Sequence, residues 1–417
     1  MAYDYVAYHE VDLEGKKVLM RVDINSPINP QTGELLGFKR IKEHSKSIKV
    51  LSDSAVVLIA HQSRPGKKDF TSLRPHAEAL SSFLDREVRF SDELFSTSAK
   101  RRIEELSPGE VLLLENVRFY SEEVALKNFD FKAFSQTHIV RELSPLFDYF
   151  VCDAFSAAHR SQPTLTGFPL VLPSLAGPLL DKEVSVLTKA TEDPKKPLVA
   201  LLGGIKIEDS MKVAKNLLEG GAVDHVLAVG VVGNLFVWAS GRKLGRPSED
   251  VIKKEVPEYK KLLGVARDLL KRYPDKIEYP TDFAADAKGE RVRVGIDDLP
   301  SRYPLYDIEV DTIAHFSNIL KEAGTIIANG PAGVFELPEF AMGTHELYRA
   351  VNSSRAFKVV GGGETNAVIE ALSLTRIDHV STGGGALVSF LGGEPMPVLD
   401  ALQESKKLFF PASILPE

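Results

Sequence analysis

The chain has 417 residues, 44% of them apolar and 26% charged, so it is long enough to bury more than one hydrophobic core. Its formal net charge of −7 argues against a surface that attracts nucleic acid or anionic lipid, and we expect neither as a partner. A single cysteine, Cys152, excludes an intramolecular disulfide, and with no signal-peptide pattern and no apolar run of about 20 residues we expect a cytoplasmic protein that does not enter a membrane.

Short apolar runs alternate with longer amphipathic segments along the first half of the chain. This alternation is typical of βαβ units, and it predicts an α/β fold with a parallel sheet. The predicted strands are residues 17–20, 55–60, 110–115 and 149–152.

Cationic or hydrogen-bonding side chains follow each of these runs. They are Arg21, Asp23, Asn25, His61, Arg64, Asn116, Arg118, Asp153, His159 and Arg160. Because ligands bind outside the carboxyl ends of the strands of an open parallel sheet, we expect these side chains at one rim, joined by Arg40 if its helix begins nearby. A single such arginine is ordinarily a solvated loop charge, but four arginines with two histidines favour a site for a small, multiply charged anion. Asp23 and Asn25 are better suited to a hydroxyl group of that anion.

Residues 170–197 predict a boundary between two lobes. The stretch "LVLPSLAGPLL" is interrupted by proline, a helix-like segment follows, and "EDPKKP" is a polar break before the next apolar run. The tail after Gly393 shows no strand pattern, and its apolar residues need a surface to cover.

The second half repeats the strand pattern, with glycine at the strand ends. The predicted strands are residues 198–202, 225–229, 325–328, 357–360 and 379–381. Glycine lets backbone N–H groups approach a ligand, and the N-terminus of a following helix adds partial positive charge. One glycine after a strand is most often a tight turn, but five such ends predict a site for nucleotide phosphates.

An acidic residue, Glu364, directly follows the third glycine of one of these loops. By itself it is a favourable partner of the helix dipole. Beside bound phosphates it would need a cation, and Mg²⁺ bridging a carboxylate and nucleotide phosphates is the alternative. Lys206 is placed to reach a phosphate and Glu336 a ribose hydroxyl, although either residue is otherwise an ordinary surface group.

Eight segments, in order along nearly the whole chain, resemble the phosphoglycerate kinase family. They are residues 21–27, 61–65, 112–120, 153–160, 201–206, 329–336, 361–365 and 379–386. The resemblance implies reversible, Mg²⁺-dependent phosphoryl transfer in glycolysis and gluconeogenesis, in which ATP and 3-phosphoglycerate give ADP and 1,3-bisphosphoglycerate. We expect a monomer, with a homodimer as the alternative.

The resemblance also implies an architecture of two Rossmann-like parallel-sheet domains joined by a hinge helix. The expected parts are a 3-phosphoglycerate-binding domain at 1–172, a hinge at 173–196, a nucleotide-binding domain at 197–392, and a tail at 393–417 that returns to the first domain.

Site residues follow from the matching motif positions. The resemblance implies that 3-phosphoglycerate contacts Asp23, Asn25, Arg40, His61, Arg64, Arg118 and Arg160. It implies that the nucleotide contacts Lys206, Asn329, Glu336, Gly361, Gly362, Gly363, Glu364 and Thr365. Arg40 and Lys206 are the expected catalytic residues, and Glu364 is the expected metal ligand.

Some positions depart from the family pattern. Gln62 and Ser63 stand where leucine and glycine are common, and Ser210 stands where a second lysine is common. Lys212 lies two residues further on, about 200° around a helix, so we do not expect it to replace that lysine.

Two rival interpretations come from other classes of protein. A nicotinamide-dependent dehydrogenase is disfavoured because no G-x-G-x-x-G follows a predicted strand. A two-lobed binding protein for a phosphorylated anion would leave the glycine-rich second lobe without a purpose.

Overall fold

A computed structural model describes residues 3–126 and 130–411. The chain divides into two compact units. The first unit is Met1–Ser185 together with Pro395–Glu417, and the second unit is Val186–Glu394. The division falls inside one helix, α7 (Pro178–Glu192).

The first unit contains a six-stranded parallel sheet with the strand order β3-β4-β2-β1-β5-β6. Its strands are β1 (Lys17–Arg21), β2 (Ala55–Ile59), β3 (Val88–Ser91), β4 (Val111–Leu114), β5 (Tyr149–Cys152) and β6 (Ser174–Ala176). The central strand β1 pairs with β2 on one side and with β5 on the other. Because both faces of the sheet are covered, β2 and β4 are buried along their whole length, as their unbroken apolar sequences predict.

Helices pack around this sheet. They are α1 (Lys39–Val50), α2 (Arg74–Leu84), α3 (Thr97–Glu104), α4 (Ser121–Ala125), α5 (Phe131–Ser135), α6 (His138–Leu143), the first part of α7, and α16 (Pro397–Phe409). The C-terminal helix α16 belongs to the first unit: the Ser405 hydroxyl accepts a hydrogen bond of 2.9 Å from the backbone N–H of Ser174 in β6.

The second unit contains a six-stranded parallel sheet with the order β15-β14-β13-β7-β8-β9, and a three-stranded antiparallel sheet with the order β11-β10-β12. Its strands are β7 (Leu198–Leu202), β8 (His225–Ala228), β9 (Ile277–Glu278), β10 (Asp282–Ala287), β11 (Glu290–Gly295), β12 (Leu305–Ile308), β13 (Thr325–Asn329), β14 (Phe357–Gly361) and β15 (His379–Val380).

The helices of the second unit complete its layers. They are α8 (Ile207–Glu219), α9 (Gly230–Ala239), α10 (Arg246–Glu255), α11 (Tyr259–Arg272), α12 (Val310–Glu322), α13 (Met342–Ser353), α14 (Gly363–Ala371) and α15 (Gly384–Leu391). Among the described residues, no helix is long and apolar enough to cross a membrane.

The α/β fold with two parallel sheets is as predicted, and each of the nine predicted runs forms a strand. Strands β3 and β6 were not predicted, because β3 carries an exposed Arg89 and β6 has only three residues after a proline. The β10–β11 hairpin was missed although its turn carries a signal: Lys288 and Gly289 both have positive φ, and a glycine follows the lysine.

Candidate active site

The carboxylate of Asp23, just after β1, is the centre of the polar rim of the first unit. It accepts a hydrogen bond of 2.7 Å from Arg40 Nη1 and another from the Ser156 hydroxyl. Burial by itself would raise the pKa of Asp23, but the positive charge of Arg40 and the hydrogen bond from Ser156 hold that pKa below its usual value. Asp23 is therefore a buried, ionised acceptor, and Arg40 at the start of α1 reaches the rim as expected.

A second hydrogen-bond chain fixes the backbone of Asp23. Its N–H donates to His44 Nε2 at 3.1 Å, so the proton of His44 is on Nδ1, which lies 2.8 Å from Asp153 Oδ2. The other oxygen of Asp153 accepts from the N–H of Leu179 at 2.7 Å, in the first turn of α7. Sequence reasoning missed His44, although it lies four residues after Arg40 and so on the same helix face.

Arg21 lies beneath the rim. Its side chain is fully buried, and Nη2 lies 3.0 Å from His61 Nδ1. Its Nε donates to the Thr164 hydroxyl at 3.3 Å, and that hydroxyl donates to the buried Glu123 at 2.7 Å. Burial lowers the pKa of His61 well below its usual value. The structure thus gives Arg21 a supporting position under the polar surface, instead of an exposed one.

Two further arginines, Arg118 and Arg160, act on His61 from other strand ends. Arg118 is partly buried, donates to the Ser63 carbonyl, and has a pKa lowered to about 10 by its burial and by the charges of Arg21 and Arg160. Arg64 and Arg160 are exposed on loops. The influence of Arg21, Arg118 and Arg160 on one another and on His61 shows that three strand ends bring these four side chains close together.

The loop after β2 contains Ser63, one of the departures from the family pattern. Ser63 has φ of 54°, in the left-handed region that glycine adopts without strain. Its N–H donates to Asn25 Oδ1 at 2.9 Å, and its hydroxyl donates to Asp69 at 2.7 Å. Asn25 and Arg118 therefore both hold this loop, in addition to facing the rim.

The strand-end glycines of the second unit let loops pack closely on one another. A Cβ on Gly330 would lie 2.3 Å from the carbonyl oxygen of Gly203, and the N–H of Gly330 already donates to the Thr365 hydroxyl at 2.8 Å. The N–H of Gly204 likewise donates to the Pro331 carbonyl at 2.8 Å. The N–H groups of Gly330 and Gly204 therefore already have protein acceptors and are not free to bind a phosphate. The sequence pattern alone does not show which strand-end N–H groups are occupied in this way.

The N-terminus of α14 is different. Gly362 has φ of 99°, and a Cβ added to Gly363 would meet nothing within 4 Å. Among the described residues, the N–H groups of Gly363 and Glu364 donate to no protein acceptor, since they begin a helix. The side-chain amide of Asn329 lies beside this turn: a Cβ on Gly362 would be 2.4 Å from its Oδ1. This turn offers free donors and a positive helix end to an anion.

Glu364 sits in the first turn of α14, close to Lys206 and Glu336. Burial raises the pKa of Glu364, the charge of Lys206 acts in the opposite direction, and the carboxylate of Glu336 reinforces the effect of burial. The described residues contain no group of three or more His, Cys, Asp or Glu side chains able to hold a metal. A half-buried carboxylate next to free N–H donors nevertheless fits Mg²⁺, which is usually held by one or two carboxylates together with substrate phosphates.

A cavity of about 350 Å³ adjoins these loops within the second unit. Gly204, Glu336 and Glu364 line one part of it. Apolar side chains that include Val251, Phe283 and Leu305 line another part. A cavity with apolar walls and a few polar groups next to an anion-binding turn suits a base joined to a phosphate chain.

Comparison with known proteins agrees with this geometry. A family model described as phosphoglycerate kinase matches residues 8–394. The chain belongs to the phosphoglycerate kinase family.

Relatives within the phosphoglycerate kinase family match along nearly the whole chain. The chain is 48% identical to the phosphoglycerate kinase of Thermoplasma acidophilum over 407 residues, which cover 97% of this chain and 99% of the relative. It is 44% identical to that of Methanothermus fervidus over 408 residues, with 97% and 98% covered. The crystal structure of phosphoglycerate kinase from Pyrococcus horikoshii OT3 matches with a TM-score of 0.86 at 40% identity, covering 97% of this chain and 100% of that one.

Ser210 is one of the positions where the sequence departs from the family pattern. It is buried in α8, and its hydroxyl donates to the Gly203 carbonyl at 3.3 Å. Lys212 forms an ion pair of 2.6 Å with Glu394, and this hydrogen bond raises its pKa. The charge of Lys212 is thus paired with Glu394, which follows α15.

Proposed function

We propose that this phosphoglycerate kinase transfers a phosphoryl group reversibly between ATP and the carboxylate of 3-phosphoglycerate, with Mg²⁺, in the cytoplasm and as a monomer. The observation that carries this proposal is the division of chemistry between the units. The first unit gathers guanidinium groups around a buried aspartate, and the second unit has a helix N-terminus with free N–H donors beside an apolar cavity.

The first unit is proposed to bind 3-phosphoglycerate. Arg64, Arg118 and Arg160 would neutralise its phosphate, because exposed or partly exposed guanidinium groups match phosphate oxygens in pairs. Asp23, already ionised, would accept a hydrogen bond from the 2-hydroxyl group, and Asn25 would assist it. Since Asp23 pairs with Arg40, it would also orient Arg40 towards the reacting carboxylate.

The second unit is proposed to bind the nucleotide. Gly361, Gly362, Gly363 and Thr365 would surround its phosphates, with donors from the N-terminus of α14. Asn329 and Lys206 would contact the phosphates from neighbouring strand ends, and Glu336 would contact the ribose.

The proposed reaction needs no general base. The acceptor is a carboxylate, which is ionised at pH 7, so no proton has to leave it before it attacks the γ-phosphorus. Catalysis then consists of alignment and of neutralising the charge on the phosphoryl group in transfer, with Arg40 and Lys206 as the cationic side chains. Glu364 would hold Mg²⁺, which supplies charge neutralisation at the phosphate oxygens when it is bound.

A coupled assay tests the proposal directly. Purified protein with ATP, 3-phosphoglycerate and Mg²⁺ should form ADP, and omission of 3-phosphoglycerate should abolish ADP formation. An Arg118→Met variant should raise the KM for 3-phosphoglycerate more than tenfold, because the loss of a charged hydrogen bond costs about 1.5–3 kcal/mol. A protein that hydrolyses ATP without 3-phosphoglycerate, or forms no ADP with it, would overturn the proposed reaction. Sedimentation velocity tests the monomer.

A further inference from the structure

Asn234 is a largely buried residue whose side chain has no hydrogen-bond partner among the described residues. It lies in α9 between Gly233 and Leu235, and only 7% of its surface is exposed. Within residues 3–126 and 130–411, no protein group forms a hydrogen bond with its side-chain amide. The side chain is largely enclosed, but its amide atoms are not among the buried unpaired ones, so they open into the adjoining cavity, where a ligand or water can pair with them.

The amide faces the cavity of the second unit. Gly230, Val231 and Asn234 all line that cavity, as residues three or four positions apart on one helix face should. Gly230 packs against Gly204, since a Cβ on Gly230 would lie 3.1 Å from the Gly204 N–H nitrogen. Asn234 is one helical turn, or about 6 Å, further along α9 than this glycine contact.

The surroundings of Asn234 in the cavity are those of a base and not of a phosphate. Val251 and Phe283 supply apolar surface, and the hydroxyl of Ser248 is already engaged by the N–H of Leu305 at 2.9 Å. No lysine or arginine lines the cavity among the described residues. A flat, neutral, aromatic ligand with a polar edge fits such walls.

We propose that the side-chain amide of Asn234 reads the polar edge of the adenine base. This inference rests on the proposed function, which makes the cavity the nucleotide site. An asparagine amide presents an acceptor and a donor in one plane, and adenine presents its 6-amino donor next to a ring-nitrogen acceptor. The two groups complement one another, and their pairing gives the amide the partners that no described protein group supplies. Asn234 is thus a specificity-determining residue, distinct from the groups that hold the phosphates.

An equilibrium binding experiment on the full chain isolates this contact. Calorimetry with Mg²⁺ would compare ADP with purine riboside diphosphate, which lacks only the 6-amino group. Wild-type protein should bind ADP about tenfold more tightly, since the hydrogen bond donated by the 6-amino group is lost with the analogue. Asn234→Leu, which keeps the side-chain size, should bind both ligands about equally, and its ADP affinity should fall to the wild-type affinity for the analogue or below it, because the contact with the ring nitrogen is lost as well.

A matched control is Asn318→Leu, the same substitution at an exposed position of α12 outside the cavity. It should keep the wild-type preference for ADP. If wild-type protein binds ADP and the analogue equally, the inference is wrong, and this comparison does not depend on the folding of any variant. A tenfold preference that survives in Asn234→Leu would also overturn it. Failure of the wild type to bind ADP at all would instead contradict the proposed function.

Discussion

Nη2 of Arg21 lies 3.0 Å from Nδ1 of His61, and both side chains are buried. A guanidinium has only N–H donors, so Nδ1 of His61 must be the acceptor in this contact. The imidazole proton is therefore on Nε2. Burial, together with the positive charges of Arg21 and Arg118, lowers the pKa of His61, so the ring is neutral and offers a single directed donor.

The Arg21–His61 contact predicts one histidine tautomer. In ¹⁵N spectra of the full chain at pH 7, His61 should appear with Nε2 protonated and Nδ1 unprotonated. Arg21→Lys keeps the buried charge but loses the rigid, planar set of guanidinium N–H donors that faces His61. The His61 tautomer should then become mixed. The KM for 3-phosphoglycerate should rise about tenfold, with a smaller change in kcat. A pure Nδ1–H tautomer in the wild type would contradict the assignment.

Lys206 is expected to act on the phosphoryl group in transfer, because it is exposed at the end of β7 and electrostatically coupled to Glu364. Lys206→Ala should lower kcat by two or more orders of magnitude, with little change in the KM for ATP. Lys212→Ala is the matched control in α8, since Lys212 pairs with Glu394, and it should keep nearly normal kcat. If steady-state kinetics show the same effect on kcat for both substitutions, Lys206 does not act on the phosphoryl group in transfer.

Glu364 is expected to bind Mg²⁺ with the nucleotide phosphates. Glu364→Gln should raise the Mg²⁺ concentration at half-maximal activity at least tenfold, while the affinity for 3-phosphoglycerate measured by calorimetry stays unchanged. Glu404→Gln, in α16 of the first unit, is the control. An unchanged Mg²⁺ titration in Glu364→Gln would leave this carboxylate only as a partner of the α14 dipole.

Ser63 has a left-handed backbone that costs a non-glycine residue about 1–2 kcal/mol. Its hydrogen bond to Asp69 offsets about 1 kcal/mol of that cost. Ser63→Ala keeps the backbone cost and loses the bond, whereas Ser63→Gly loses both. The glycine variant should therefore be about 1 kcal/mol more stable than the alanine variant in denaturant unfolding. An alanine variant at least as stable as the glycine variant would mean that the loop changes conformation.

Strand positions and the polar residues that follow them could be predicted from the sequence, because buried parallel strands are continuous apolar runs with their carboxyl ends at one edge. The hydrogen bonds that hold those polar residues in place could not be predicted in this way. His44, Thr164 and Glu123 are brought to the first-unit rim from distant segments by the packing of α1, α4 and the loop before β6. The position of Asn234 in the cavity could not be predicted for a related reason. Whether its side-chain amide finds a protein partner depends on the residues that pack around it in the fold, and the sequence does not identify those residues.

The buried His76 should make local stability depend on pH. Its Nε2 lies 3.1 Å from Gln62 Oε1, and burial lowers its pKa to about 4. The unfolded chain binds a proton at a pKa near 6.5, so between about pH 6.5 and 4 only the unfolded state is protonated, and the stability present above pH 6.5 is lost progressively as the pH falls. The full loss for a shift of this size is about 3 kcal/mol. Hydrogen exchange of peptides from β2 and α2 should show the opening free energy decreasing between pH 7 and pH 5, and decreasing less in His76→Gln, whose amide does not titrate. If the wild type and the variant lose opening free energy in parallel over this range, His76 is not the group responsible.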